Sequence, residues 1–285
     1  MKFSLILATL GRTDEVNKFI QSLMCQSYND VELIVVDQNT DDRLIPILAP
    51  CYELFSVKHL KTSPGLSYAR NVGLKHVSGD IVAFPDDDCW YAKDVLEKVK
   101  DKFLKCRNID VLTGRSIDGD GDESGSNFAR ESGYVDRFDV WTKAISYTIF
   151  LRAIVCKAVG GFDETLGVGA KTRFGSGEET DYLIRALDKK CQIYYLHDLT
   201  VFHPNKILEF NEATFKRARL YAAGKGRVLS KHGYPLFYKM KILGRPCIGS
   251  IISLLQGNIP QAKYRLNNAL GRAEGLMAKV DAAEI

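Results

Sequence analysis

The chain of 285 residues contains seven cysteines but no Cys-x-x-Cys pair. Cysteines that are scattered and odd in number argue against a disulfide framework and against a zinc site, and they favour a reducing compartment such as the cytoplasm. The apolar stretch at residues 248–255 is far shorter than the roughly 20 residues that a membrane-spanning helix needs. The sequence also lacks internal repeats and long low-complexity segments, so we expect an ordinary globular fold.

Acidic residues are absent from residues 213–273, a segment that carries twelve Lys and Arg residues. An acid-free segment joined to an acidic body is typical of a chain with an anionic partner. Because no known nucleic-acid-binding module is present, we do not expect nucleic acid as that partner. The segment could lie on an anionic membrane surface, with its apolar residues below the headgroups. The alternative is a helical cap that packs on the rest of the protein and exposes a basic face.

Short apolar runs alternate with helical patterns over the first two thirds of the chain. The strand-like runs cover residues 3–9, 31–36, 56–60, 80–84 and 109–113. Strands that alternate with helices indicate a mainly parallel α/β sheet flanked by helices. We therefore predict an α/β domain over residues 1–212 and a basic, mostly helical C-terminal extension over residues 213–285.

Two groups of carboxylates stand out. Asp86, Asp87 and Asp88 directly follow the strand-like run, at the carboxyl end where open α/β sheets bind ligands. Adjacent anions repel one another, and hard carboxylate oxygens suit Mg²⁺ or Mn²⁺, ions that are often shared with a phosphate group. The alternative is a solvated acidic turn. The second group, Glu178, Glu179 and Asp181, begins a predicted helix, where the helix dipole alone could explain it.

The order and spacing of several segments resemble the inverting family-two glycosyltransferases of the GT-A fold, over roughly residues 1–210. The segments are PGLSYARNVG at 64–73, DDD at 86–88, GFDE at 161–164 and GEETD at 177–181. No single segment is decisive, but chance agreement of all four in one α/β chain is improbable. The resemblance implies a GT-A-type sheet and a nucleotide-sugar donor, either a UDP-, a dTDP- or a GDP-sugar.

The resemblance also implies a set of donor-binding residues and a metal site. Asp37 would lie near the base of the nucleotide, and Asp86 would contact its ribose. Asp88, with His203 as a later contact, would ligate Mn²⁺ or Mg²⁺. The residues implied to bind the nucleotide sugar are Thr9, Asp37, Asn39, Gly65, Arg70, Asp86 and Asp87.

On the acceptor side, the resemblance implies that Glu179 is the general base, with Asp181 as its rival. Many relatives have Glu-Asp where this chain has Glu178-Glu179, so the choice among the three acids stays open. The implied activity is metal-dependent, inverting sugar transfer to a hydroxyl of a glycan or lipid-linked acceptor, in surface polysaccharide synthesis at the inner face of the membrane.

Two other functions remain open. A sugar-phosphate nucleotidyltransferase would normally have a glycine-rich phosphate loop with Arg and Lys after the first strand, whereas this chain has Leu10-Gly11-Arg12-Thr13. A non-catalytic nucleotide-sugar-binding protein would keep the pocket without transfer, and the presence of Asp86, Asp88 and Glu179 argues against it.

Overall fold

The computed structural model describes residues 1–205 and 208–279, and within them the chain forms nine strands and ten helices. The strands are β1 Phe3–Thr9, β2 Val31–Asp37, β3 Ser56–Lys61, β4 Ile81–Ala83, β5 Trp90–Tyr91, β6 Val111–Ile117, β7 Gly133–Tyr134, β8 Phe150–Arg152 and β9 Ile193–Phe202. The helices are α1 Asp14–Met24, α2 Ile45–Leu48, α3 Leu66–Leu74, α4 Val95–Lys105, α5 Val140–Lys143, α6 Ala153–Val159, α7 Glu178–Asp188, α8 Glu212–Lys231, α9 Leu236–Leu255 and α10 Ile259–Met277. Two short 3₁₀ helices cover Ala49–Glu53 and Ser146–Thr148.

The chain divides into two compact units. The sheet unit contains Met1–Pro64, Tyr68–Phe162 and Tyr182–Asn205. The helical unit contains Gly65–Ser67, Asp163–Asp181 and the described part of Lys206–Ile285. This division groups residues 163–181 with the C-terminal helices, so the boundary that we expected after residue 212 stays a prediction.

One mixed sheet forms the centre of the sheet unit, in the order β3-β2-β1-β4-β8-β6-β9-β5, with β7 paired to β9. Strands β3, β2, β1 and β4 are parallel, and β8 runs antiparallel to both of its neighbours. Every residue of β1 and β2 is buried, as expected for parallel strands that are covered on both faces. Strand order reverses beside β1, so the carboxyl ends of β1, β2 and β4 lie at a point where such sheets bind ligands.

Helix α3 lies close to this parallel part of the sheet because Gly73 has no side chain. A methyl group on Gly73 would clash with Ile6 of β1 and would come within 3.2 Å of Val36 of β2. Helix α1 buries the apolar positions Val16 and Phe19 that its sequence pattern indicates. Both helices are therefore placed by their packing on the sheet.

Helices α8, α9 and α10 make up most of the helical unit. Helices α8 and α10 approach each other at glycines: a side chain on Gly226 would collide with the carbonyl of Arg272, and one on Gly275 with the carbonyl of Ala223. Across residues 1–205 and 208–279, none of the helices combines the length and the apolar content that a transmembrane helix requires.

Candidate functional site

Thr9 and Asp37 end the adjacent strands β1 and β2 in register with each other. Asp37 is fully buried, and one carboxylate oxygen accepts hydrogen bonds from the backbone and side chain of Asn39 at 2.9 and 2.8 Å. The other oxygen lies 2.9 Å from His59 Nε2 and 2.9 Å from Lys61 Nζ. Burial alone would raise the pKa of this carboxyl, but these hydrogen bonds outweigh burial and lower the pKa. Asp37 and Asn39 thus form one rigid polar network beyond β2.

The three aspartates after β4 point to different partners. Asp87 accepts hydrogen bonds from Thr9 Oγ1 at 2.7 Å and from Arg12 Nη1 at 2.5 Å. The same guanidinium lies 2.7 Å from Asp88 Oδ2. Burial raises the pKa of Asp87 to about 6, although the charge of Arg12 and the hydrogen bond from Thr9 act against it. Arg12 therefore joins two of the three carboxylates to the end of β1.

Asp86 pairs with a second arginine. Arg70 Nη2 lies 3.0 Å from Asp86 Oδ1, and Ser146 Oγ donates to the same oxygen at 3.2 Å. The side chain of Arg70 is 1% exposed, and its guanidinium lies 5.4 Å from the ring centre of Phe162. Burial raises the pKa of Asp86, and the positive charge of Arg70 acts in the opposite direction. The arginine of the PGLSYARNVG segment is thus fixed against the acidic cluster.

Asp86, Asp88 and His203 come together at this end of the sheet. Each offers one ligand atom, and the three atoms lie within 4.8 Å of one another. His203 Nε2 is 3.1 Å from Asp88 Oδ1. Two carboxylates and one imidazole are a donor set that fits Mn²⁺ and accommodates Mg²⁺. We call these three residues the metal cluster.

The His203 ring is held from two sides. Its Nδ1 lies 3.3 Å from Ser124 Oγ. Its face stacks on the buried ring of Tyr147, with ring centres 4.7 Å apart and planes 8° from parallel. Contacts of this kind fix the orientation of a ligating imidazole and direct its other nitrogen to the metal position.

Gly65, Glu179 and Asp181 belong to the helical unit. Gly65 has a φ of 147°, a backbone conformation that favours glycine. Glu178 and Asp181 are buried, at 5% and 0% exposure, whereas Glu179 is partly exposed. Asp181 Oδ1 lies 2.8 Å from Lys231 Nζ and 2.8 Å from His232 Nε2.

The structure places the expected site residues in two groups, and the sequence analysis missed several of their partners. Eight of the expected site residues lie in the sheet unit: Thr9, Asp37, Asn39, Arg70, Asp86, Asp87, Asp88 and His203. The sequence analysis did not identify Arg12 as the counter-ion of Asp87 and Asp88, although its position just after β1 could have indicated this role. No sequence pattern pointed to Tyr147 or Lys231, because each is distant in sequence from the residue that it contacts.

Comparison with known proteins identifies the family. Residues 4–158, more than half of the chain, match the model of glycosyl transferase family 2. This chain belongs to glycosyl transferase family 2. Family membership confirms the resemblance noted in the four sequence segments, and it supports glycosyl transfer as the activity class.

The relatives of this family-2 chain include glycosyltransferase AglE of Haloferax volcanii, which is 23% identical over 97% of this chain and 87% of AglE. In several other curated relatives, the matched region is only 16–18% of the relative's length.

Solved structures confirm the predicted GT-A-type α/β fold. TarS of S. aureus in complex with UDP-GlcNAc has a TM-score of 0.62 at 19% identity, over 96% of this chain and 91% of that one. A mannosyltransferase of Pyrobaculum calidifontis in complex with GDP-Man and Mn²⁺ has a TM-score of 0.64 at 12% identity, over 95% and 87%. At these identities the likeness shows the fold alone.

Proposed function

We propose that this family-2 protein is a metal-dependent, inverting glycosyltransferase. It moves a sugar from a nucleoside-diphosphate donor to a hydroxyl of a glycan or lipid-linked acceptor. The observation that carries this proposal is the metal cluster, whose three ligand atoms lie within 4.8 Å at the carboxyl ends of the sheet. A solvated acidic turn would not bring an imidazole from a remote strand end to the same point.

In this proposal, donor binding uses the polar groups at the ends of β1, β2 and β4. Asp37 and Asn39 receive the base of the nucleotide, and Asp86 receives the ribose. Thr9, Arg70 and Asp87, which lie in the same unit, complete the donor site. The complexes of the structural neighbours, one with UDP-GlcNAc and one with GDP-Man, support a UDP- or GDP-sugar as the donor.

Asp88 and His203, with Asp86 beside them, would hold Mn²⁺ or Mg²⁺. A divalent ion bound there supplies positive charge that stabilises the departing nucleoside diphosphate. Tyr147 and Ser124 keep the imidazole oriented, and Arg70 holds the carboxylate of Asp86 in place. The Mn²⁺ in the mannosyltransferase complex supports this choice of ion.

Glu179 is the general base of the proposed reaction. A base must reach an acceptor hydroxyl, and Glu179 is the partly exposed member of the acidic group at the start of α7. Asp181 is a weaker candidate because its buried carboxylate is already paired with Lys231 and His232. When Glu179 removes the proton, the hydroxyl oxygen attacks the anomeric carbon from the face opposite the diphosphate, which inverts that centre.

The biological setting is proposed by analogy. TarS is a poly(ribitol-phosphate) β-N-acetylglucosaminyltransferase, so one relative adds a sugar to a polymer that contains phosphate. We propose that this protein acts in surface polysaccharide synthesis, in the cytoplasm and at the inner face of the membrane.

The test is nucleoside diphosphate release from a panel of UDP-, dTDP- and GDP-sugars, with Mn²⁺ and with EDTA, alone and with extracted lipid-linked acceptor. We expect release from one donor that EDTA abolishes, and an inverted anomeric configuration by NMR in the product. Glu179→Gln should reduce acceptor-dependent release by about 10²-fold or more, whereas Glu53→Gln, an exposed control, should not. Release that is insensitive to EDTA, or a product with retained configuration, would contradict the proposal.

A further inference from the structure

Helix α9 exposes most of its large apolar side chains, and four of the five residues that it buries are small or proline, which is the reverse of an ordinary helix in a globular protein. The buried residues on one side are Ile242, Pro246, Gly249, Ser250 and Ser253. On the other side, Phe237 is 70% exposed, Ile248 60%, Ile251 59% and Leu255 83%. Packing within the helical unit therefore does not explain why α9 has these exposed apolar residues.

The exposed apolar residues lie in two groups along α9, one before Lys241 and one after Arg245. Phe237, Met240, Ile248, Ile251 and Leu255 are separated by multiples of three or four residues, so they share one side of the helix. We call these five residues the apolar stripe. Leu236, Ile252 and Leu254 extend it, and each is at least 45% exposed. Large apolar side chains that are exposed together on one side of a helix indicate an interaction site.

The charges on α9 are all positive. Lys241 and Arg245 are exposed on the same helix, and α9 contains no acidic residue. The acid-free segment at residues 213–273 surrounds it in sequence, so several further cations lie on the adjoining helices. Apolar residues flanked by cations match a surface that is negatively charged outside and apolar beneath, as an anionic bilayer is.

We propose that α9 lies in the plane of an anionic phospholipid bilayer, with the apolar stripe below the headgroups and with Lys241 and Arg245 beside the lipid phosphates. This proposal rests on the proposed function, because the proposed function is the reason to expect a lipid-linked acceptor. The helix has 20 residues and would be about 30 Å long. Lys239, Lys241 and Arg245 interrupt its sequence, so the bilayer surface suits it better than the bilayer interior.

A second copy of this chain is a less favourable occupant of the same face. Two copies that meet through α9 would bring Lys241 and Arg245 of each chain close to those of the other. Like charges at an interface oppose association, whereas anionic lipid attracts the same side chains. Charge complementarity therefore favours the membrane.

The test is flotation of the whole chain with vesicles of phosphatidylcholine alone and of phosphatidylcholine with about 30% phosphatidylglycerol. We expect the protein to float with the anionic vesicles and to stay behind with the neutral ones. The variant Phe237→Ser/Ile248→Ser/Ile251→Ser should reduce recovery about ten-fold. The matched control Leu54→Ser/Leu104→Ser/Ile154→Ser removes side chains that are 52–63% exposed in the sheet unit, and it should float like the wild type.

A second pair of variants tests the charges. Lys241→Glu/Arg245→Glu should reduce recovery with anionic vesicles, whereas Lys75→Glu/Lys105→Glu makes the same change in net charge on the sheet unit and should not. Equal recovery of the stripe variant and its control, or a wild type that does not float, would overturn the proposal. So would a dimer by light scattering that the stripe variant dissociates, because a second copy would then cover the stripe.

Metal-dependent nucleotide release without vesicles separates this proposal from the proposed function. A stripe variant that releases nucleotide at the wild-type rate but does not float supports the membrane role. A wild type that floats but releases no nucleotide from any donor, with or without acceptor, contradicts the transferase proposal and leaves the membrane proposal intact.

Discussion

The sheet unit and the helical unit each contain a cluster of buried or half-buried carboxylates, and the two clusters are neutralised differently. In the sheet unit, two arginines pair with the aspartates, and Asp86 and Asp88 also converge with His203, a residue that can itself ligate a metal. In the helical unit, Lys231 Nζ lies between Asp163 and Asp181, at 2.6 and 2.8 Å from their carboxylates. The side chains of Lys231 and His232 are 6% and 8% exposed, so this second cluster is an internal ion-pair network.

Acidic residues near a helix or strand end therefore do not share one role. Carboxylates that converge with an imidazole offer ligand atoms to a metal ion, whereas carboxylates that enclose a buried lysine are occupied by that cation. Removing a residue from the first cluster should therefore change metal binding and activity. Removing one from the second should change stability.

The largest effect is expected at Asp88. Asp88→Ala should reduce sugar transfer on the order of 10³-fold, because it removes a carboxylate that helps to stabilise the charge of the leaving group. It should also abolish Mn²⁺ binding, measured by calorimetry, while the unfolding midpoint stays close to that of the wild type. Asp101→Asn on α4 is the matched control, and it should match the wild type in both measurements. Near-wild-type turnover of Asp88→Ala would remove Asp88 from the metal site.

Lys231→Met should lower the free energy of unfolding by about 3–5 kcal/mol, because it leaves Asp163 and Asp181 buried with one cation fewer. Urea denaturation at neutral pH measures this change, and Lys216→Met on the exposed side of the same helix serves as the control. If the two variants were equally stable, the network around Lys231 would not be structural and the contrast between the clusters would fail.

A variant at Glu32 tests whether a buried carboxylate of the sheet unit can stabilise the fold without taking part in the metal cluster. Burial alone would raise its pKa, but hydrogen bonds from Ser4, Ser78 and Lys2 outweigh burial and lower the pKa to about 2. Since the folded pKa lies below the unfolded value of 4.5, the stabilisation is complete above that value and is lost as the pH falls toward 2.

Glu32→Gln should therefore cost about 2–3 kcal/mol at pH 7, and the difference from wild type should shrink below pH 4.5. Urea unfolding at pH 7 and pH 3 measures it, with the exposed Glu53→Gln as the control. A cost that does not depend on pH would show that shape rather than charge makes Glu32 important.

The smallest effect is expected at Tyr147. Tyr147→Ala removes the ring that stacks on His203, and it should weaken Mn²⁺ binding about 10- to 100-fold. Tyr147→Phe keeps the ring and should bind Mn²⁺ nearly as well as the wild type. Calorimetry with Mn²⁺ alone distinguishes the two, and equal weakening by both variants would show that the hydroxyl, not the stacked ring, is what matters.

Local sequence patterns predicted several of the strands and helices. Apolar runs indicated β1, β2 and β4, and the spacing of apolar residues such as Val16 and Phe19 is typical of a helix at α1, because burial on one face or on both leaves a periodic signature. The sequence pattern did not reveal that β8 runs antiparallel between β4 and β6, since strand direction depends on how distant segments pair.

Composition and short-range order are sufficient to reveal the family, the acidic motif at residues 86–88 and the acid-free segment at 213–273. The tertiary structure was needed to establish which carboxylates meet His203 and which meet Lys231, since those partners are between 50 and 117 residues away along the chain. It also decided that α9 turns its large apolar residues outward. Apolar periodicity shows that a helix has two faces, but only packing determines which of them is buried.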